Sequence, residues 1–548
     1  MAKTKLLNNT EGIALVAGAL MSLVMGGWNT VICAMLAGFL IGISANHEGG
    51  TKAITRAVVL GLIASVVCAV LGYVYNTWVT TLPGVDEQDK GHAGIYPLIV
   101  AAVLGTLTAL YMAFVQTRAS ERARRIGLLS FLGVCAVLFP FFDQCPTLAW
   151  NSFSFATFVN PTVGCTTQKP LIWMFAMIVM IIYALQAMGL NIVAGYAGLL
   201  DLGYVAFFAI GAYTMGLLNS DQLVAQDYLW FKFGFWIVIW ICAAMAAFFG
   251  LLLGAPTLPL RGDYLAIVTL GFGEIIPIVA KNLEEVRIFE PISLFFAQLT
   301  AQKIELTDRM GQFAEMANRA ICFLGCKPND PLDITAGTKG ISPIDGPVLG
   351  FGNLSYKFVN GDYIPWYFLA LALIVLSAFF IFRLRASRMG RAWVSMREDE
   401  LAANAMGVDL VRTKLAAFII GAMFSGFAGA FYGSYVSFIE PGSFAFDISV
   451  QVLAMVILGG TGNITGVLVG AAILKLLDLV VLERIKQFVN GITQGLIFKG
   501  IDNPGLLLYV NDVTDATAYK ILIFGLILVV MMKVRPEGLI PAQTAKRK

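Results

Sequence analysis

GLNIVAGYAGLLDLGYVAFFAIGAY, residues Gly189 to Tyr213, is long and apolar enough for a membrane-crossing helix, yet it is punctuated in ways such a helix has no use for. Gly195, Gly198, Gly203 and Gly211 interrupt it, and Asn191, Asp201, Tyr204 and Tyr213 bring polar groups into it. Each interior glycine lowers helix stability by ~1 kcal/mol relative to alanine, and a carboxylate at membrane depth costs at least ~2.5 kcal/mol on insertion scales. The stretch therefore reads as a broken helix lining a path, because irregular backbone is tolerated at that depth only where protein or a water-filled cavity covers it.

The chain around it is of one class. Of 548 residues, 58% are hydrophobic and only 13% charged, well short of the charge that an ordinary soluble domain carries. An all-α polytopic membrane protein embedded in lipid is expected. A formal net charge of +3 gives no reason to expect nucleic acid as a partner. Two histidines, His47 and His92, leave little from which to build a metal centre, and no nucleophile–base pair stands out. No catalytic residues, metal site or cofactor are expected in this chain. The apolar run after Met1 to Lys5 leads into further apolar runs and does not read as a cleaved signal.

Fourteen stretches approach the ~20 residues that a helix needs to span the hydrocarbon. Five fall within residues 1–170, a membrane extension. The others are Leu171 to Gly189, Gly195 to Leu218, Phe233 to Gly254, Gly262 to Ala280, Trp366 to Phe382, Lys414 to Tyr435, Ile448 to Gly459, Ile464 to Leu482 and Lys520 to Met532. Orientation follows from the lysine and arginine bias of the loops. Arg118, Arg122, Arg124 and Arg125 against Glu121 place one loop in the cytoplasm. Seven basic against four acidic residues from Arg383 to Lys414 place a second there, and the basic tail, 536–548, belongs with them. The connection 282–365 falls outside. It divides the core into 171–281 and 366–535.

Four cysteines, Cys145, Cys165, Cys322 and Cys326, lie in loops assigned to the outside, where an oxidising environment permits the pairs Cys145–Cys165 and Cys322–Cys326. Within the outer connection, apolar residues from Leu299 to Leu324 recur close to a helical period and predict an amphipathic helix on the outer face. A lid packed on its own protein is favoured there over a docking surface.

The cytoplasmic stretch RASRMGRAWVSMREDELAANAMGVDLVRTK, Arg385 to Lys414, is too long and too charged for a turn. Ala392, Trp393, Met396, Leu401, Ala402, Ala405 and Met406 give it an apolar side, which predicts a short amphipathic helix across the inner face, ending at Gly407 before Asp409. The acidic cluster Glu398, Asp399 and Glu400 would repel anionic lipid, so docking to a protein is favoured over binding to headgroups.

Seven segments in order resemble the permease subunit of branched-chain amino acid ABC importers, the LivM type. They are LNIVAGYAGLLDLGY from Leu190, LPLRGDYLAIVTLGFGEII from Leu258, DITAGTKGIS from Asp333, MGRAWVSMREDELAANAMGV from Met389, FSGFAGAFYGSYVSFIEPGSF from Phe424, VILGGTGN from Val456 and VRPEGL from Val534. The likeness runs from about Leu171 to Leu539. It implies an ABC importer transmembrane domain with a coupling helix, 388–409, that docks on an ATPase subunit, and Gly390, Arg391, Trp393, Arg397, Glu398, Asp399, Ala403 and Gly407 are assigned to that coupling. Ala402, Ala403 and Gly407 echo part of the importer docking motif, but Leu401 stands where its acid would be. The resemblance also implies a second related permease, two ATP-binding subunits that hold ATP and Mg, an external solute-binding protein and a place in the bacterial inner membrane. This chain has no GxxxxGK[ST] phosphate loop of its own.

VILGGTGNITGVLVG forms a second interrupted segment, and paired interruptions in the two halves of a transporter point to its path. The path is assigned to Asn191, Gly195, Gly198, Asp201, Gly203 and Tyr204 in the first segment, Gly271, Gly273 and Glu274 in LGFGEII, and Gly459, Gly460, Gly462 and Asn463 in the second. Glu274 and Asp201 stand out because an intramembrane carboxylate is by default a functional group. Lys475 and Asp478, near the outer end of a span, are expected to snorkel or pair. The expected function is inward transport of a branched-chain or other hydrophobic amino acid. A same-family permease for urea or amides, and an ion-coupled secondary transporter with its ion at Glu274 or Asp201, are the alternatives.

Overall fold

A computed structural model describes residues 51–79, 102–111, 172–222, 232–257, 263–283, 335–350, 356–359, 361–483, 485–486 and 518–540, with isolated positions between 34 and 41 and at 133, 136 and 515. The four outer cysteines and the expected helix from Leu299 to Leu324 lie outside the described residues, as do most of residues 1–170. Two compact units result, one of residues 1–173 with 477–520 and one of 174–476 with 521–548.

In the first unit the helix Thr51–Val79 and the helical stretch Ala102–Tyr111 meet through small residues. A methyl placed on Gly105 would lie 2.2 Å from Ser65 Oγ, and one on Gly61 would lie 2.5 Å from Ala109 Cβ. Such close approach is how helices associate where lipid offers no hydrophobic gain.

The second unit is the larger and is helical throughout its membrane part. Its helices are α1 (Ile172–Leu190), α2 (Val205–Asn219), α3 (Phe235–Thr257), α4 (Asp263–Asn282), α5 (Tyr363–Ala386), α6 (Arg388–Glu398), α7 (Glu400–Ala405), α8 (Leu410–Val436), α9 (Phe446–Gly459), α10 (Ile464–Leu476) and α11 (Lys520–Val534). Among the described residues, seven helical segments are long and apolar enough to cross a membrane, and they coincide with the expected stretches to within a few residues except at the breaks. The expected span from Gly195 to Leu218 is shorter: helix resumes only at Val205, because a π turn, Asn191–Tyr196, and a non-helical run to Tyr204 intervene.

α1 is the most enclosed of the long helices, and α8 packs along both α3 and α2. Glycine permits the closeness of α8 and α2: a methyl on Gly211 would strike Gly426 O at 2.2 Å, and one on Gly429 would strike Phe208 O at 2.1 Å. Between them the rings of Phe208, Tyr432 and Phe444 stack at centroid distances of 5.3 to 6.4 Å. Lys475, expected to snorkel or pair, pairs and is only 4% exposed. Its Nζ donates to Gln451 Oε1 at 3.0 Å and lies 3.6 Å from the centroid of the Tyr183 ring.

Residues 337–349 close over the C-terminal ends of α2 and α8 through bridges Ser220–Ile344 and Ile341–Ile439, with a short hairpin of β1 (Val348–Leu349) and β2 (Tyr356–Lys357) beyond. Asp345 ties this cover down. Its carbonyl accepts from Asn219 Nδ2 and Ser434 Oγ, both at 2.7 Å. Partial burial pushes its carboxyl up, but Lys357 at 2.9 Å and Lys232 at 3.5 Å outweigh that and hold it below the usual carboxylate range.

Candidate functional site

The interrupted segments follow the C-terminal ends of α1 and α9 and touch each other. In the first, Asn191 is fully buried and its Oδ1 accepts from Gly462 N, in the second, at 2.8 Å. A methyl on Gly195 would lie 2.0 Å from that same Oδ1 and 2.7 Å from Gly462 N, so only glycine lets the two turns abut. Gly198 takes a positive φ of 72° and ends the π turn. Asp201 then caps the approach to α2, its Oδ1 accepting from Gly203 N at 2.9 Å. Its Oδ2 has no hydrogen-bond partner among the described residues, and Asp201 lines a cavity of about 20 Å³ with Thr269 and Phe272, room for a single water. Tyr204 is fully buried and donates from its hydroxyl to Gly421 O at 2.7 Å, while Val205 N donates to Ser449 Oγ at 3.1 Å. The first break is thus held by α4, α8 and α9.

The LGFGEII residues divide. Gly273 meets the first break, where a methyl would lie 3.0 Å from Gly203 Cα. Gly271 has open space beside it, and both it and Glu274 are exposed on the outer surface of α4, away from the junction. The structure therefore brings one of the three to the breaks.

At the second break α9 ends at Gly459, and Gly460 and Gly462 turn the chain with φ of 114° and 85°. The VRPEGL segment closes on this turn: Leu539 N donates to Leu458 O at 2.9 Å, Ile540 N to Gly459 O at 3.1 Å, and Asn463 Nδ2 to Ile540 O at 3.0 Å. Asn463 Oδ1 accepts from Thr465 N and Oγ1 at the start of α10.

The expected single cytoplasmic helix is two. Asp399 breaks it, because its carboxylate accepts from Leu401 N at 2.9 Å and Ala402 N at 3.0 Å and so starts α7 afresh, a local bond that competes with continued helix. Ser387 caps α6 by accepting from Gly390 N, and Gly407, with φ of 85°, ends the pair. The break also turns the expected apolar side apart: Trp393 and Met396 face inward, whereas Leu401 and Met406 are 75% and 85% exposed. Of the coupling assignments, Gly390, Trp393 and Ala403 are buried and Arg391, Glu398, Asp399 and Gly407 exposed. Trp393 Nε1 donates to Thr413 O at 2.8 Å, and Lys414 pairs with Glu400 at 2.6 Å, so α6 and α7 are fastened to the start of α8.

Arg397, although exposed on one side, turns its guanidinium into the junction. Nη1 donates to Gly195 O, and Nη2 donates to Thr461 Oγ1 at 3.2 Å. Thr461 is the junction residue that the sequence reading passed over; its place between Gly460 and Gly462 was the available signal.

A bundle of apolar helices, broken twice where the breaks meet and flanked by a capped, charged helix pair, is the membrane component of a transporter. The chain belongs to the family described as the permease component of branched-chain amino acid transport systems, which matches residues 172–532. It is 33% identical over 452 residues to the high-affinity branched-chain amino acid transport permease LivM of Escherichia coli K12, covering 75% of this chain and 84% of the relative. A probable LivM of Methanocaldococcus jannaschii is 26% identical over 66% of this chain and 90% of its own length. The LivH permease of Escherichia coli K12 is 30% identical over a shorter piece, 23% of this chain and 39% of the relative. No solved structure matches the chain.

Proposed function

We propose that this chain is the permease subunit of an ATP-driven importer that passes a branched-chain or other hydrophobic amino acid inward across the bacterial inner membrane. It works beside a second, related permease, as the likeness to both LivM and LivH supports. Two ATP-binding subunits supply hydrolysis with ATP and Mg, and an external solute-binding protein delivers the substrate. One observation carries the ATP-driven part. The α6–α7 pair is locked to the bundle on one face by Trp393, Arg397 and Glu400, and on the other it presents Leu401 and Met406 bare to the cytoplasm. Leu401 and Met406, the barest large apolar side chains on this charged, well-capped helix pair, suit the cleft of a partner protein.

The complex isolated from membranes tests this. ATP hydrolysis should rise when binding protein loaded with leucine is added, and reconstituted vesicles should accumulate radiolabelled leucine that excess urea does not displace. Uptake that persists without ATPase subunits and collapses with the ion gradient would overturn the reading. Leu401→Asp with Met406→Asp should release the ATPase from the purified complex while leaving the permease folded.

A further inference from the structure

We propose that Arg397 is a positioning residue that latches both helix breaks shut at the cytoplasmic end of the path, so that the helix pair controls the breaks through this one side chain. The inference rests on the importer reading and deepens it: the assigned coupling residue faces the path rather than the ATPase. Three observations place it. Its guanidinium donates to Gly195 O in the first break and, at 3.2 Å, to Thr461 Oγ1 in the second. The first break is shaped to its stem, since a methyl on Gly198 would lie 2.9 Å from Arg397 Cγ. And α6, which carries it, meets the bundle at the start of α8 through the Trp393–Thr413 bond, so a tilt of the pair about that attachment moves the guanidinium relative to the two turns.

The chemistry suits arginine. A planar guanidinium presents donors in a fixed fork and can hold two acceptors on different segments at once, whereas a lysine ammonium is a point donor on a flexible stem. Asn191 Oδ1 and Gly462 N join the breaks directly, but that bond runs between the breaks and contains nothing from the cytoplasmic helices. Arg397 makes the three-way connection. Movement of α6 away from the membrane, driven by the partner below, therefore loosens Gly195 and Thr461 together.

The test uses the whole complex in vesicles and reads a quantity that needs no transport. Ala197, buried in the first break, is replaced (Ala197→Cys), and its reaction with a membrane-impermeant maleimide from the cytoplasmic side is followed without nucleotide, against the same chain lacking that change. Arg397→Gln should speed labelling by about tenfold or more, the factor expected from losing hydrogen bonds of ordinary strength. Arg397→Lys and Thr461→Val should give smaller increases, and Arg412→Gln, which removes a cytoplasmic arginine that is 89% exposed, none. ATP hydrolysed per leucine accumulated should rise in the same order. Thermal melting of each variant separates opening from unfolding; should Arg397→Gln fail to fold, Arg397→Lys and Thr461→Val decide the matter. Equal labelling in folded Arg397→Lys, Thr461→Val and Arg412→Gln overturns the latch. If the wild-type complex takes up no leucine, the importer reading fails, while the labelling order still tests the latch by itself.

Discussion

In the first break Gly195 and Gly203 have ordinary backbone angles and Gly198 alone has a positive φ, whereas in the second both Gly460 and Gly462 have positive φ. At Gly195 and Gly203 glycine supplies space: a methyl on Gly203 would lie 1.8 Å from Thr269 O, and one on Gly195 would overlap Asn191. In the second it supplies conformation, since the chain reverses between α9 and α10 through angles that L-residues rarely adopt. Similar punctuation in the sequence therefore serves two physical needs. The first break is a wall against which α4 and α9 are pressed; the second is a turn that must keep one shape to present Gly462 N to Asn191 and Thr461 to Arg397.

The sharpest way to break this comparison is Gly203→Ala. The methyl meets backbone, which cannot swing aside as a side chain can, so the loss should reach or exceed the ~1–3 kcal/mol usual for overpacking. Melting of the purified permease measures it, and Gly203→Asn should be worse still. A variant that melts like wild type would show that α4 does not press on the first break.

Asn191→Ala comes next. It leaves the buried Gly462 N without its acceptor, a cost of ~1–3 kcal/mol. Thermal melting should fall accordingly, and an unchanged midpoint would mean that the two breaks are not joined at this point. Gly462→Ala should cost about 1–2 kcal/mol, the strain of a positive φ. Here Gly462→Asn should be milder than alanine, because asparagine tolerates such angles better. The order of the two substitutions is thus reversed between positions 203 and 462. A common order at both would abolish the distinction between space and shape.

Much of the fold is legible in the chain because apolar length and loop charge act locally: α1, α3, α4 and α8 begin and end within a few residues of where apolar runs do. The breaks too are visible, as clusters of glycine with polar residues. Their reasons are not, since whether Gly195 fills space or bends backbone depends on Gly462, far away in sequence. Arg397 was assigned to ATPase coupling alone because its partners, Gly195 and Thr461, lie on other segments. Asp399 was more legible than the single-helix expectation allowed: an aspartate ahead of a helix-forming run is itself a start signal, and it outweighed the continuous apolar side. That Lys475 would pair was open in the sequence, but its partners were not, because Gln451 and Tyr183 lie on other helices.

Gly271 is the smallest expected effect and the one that extends the comparison beyond this chain. It follows neither rule, with no atom within 4 Å of a methyl placed there and no positive φ. In the isolated permease Gly271→Ala should therefore be neutral, or stabilise α4 by up to ~1 kcal/mol through helix propensity. Glu274, one turn on along the same exposed surface, is a carboxylate that lipid would receive poorly. Both facts are reconciled if a second permease covers that side of α4 in the complex. Gly271→Ala and, more strongly, Gly271→Leu should then lower recovery of the second permease in purified complexes while leaving the melting of this subunit alone unchanged. Recovery equal to wild type for the leucine variant would place the partner elsewhere and leave Gly271 as a glycine with no constraint of either kind.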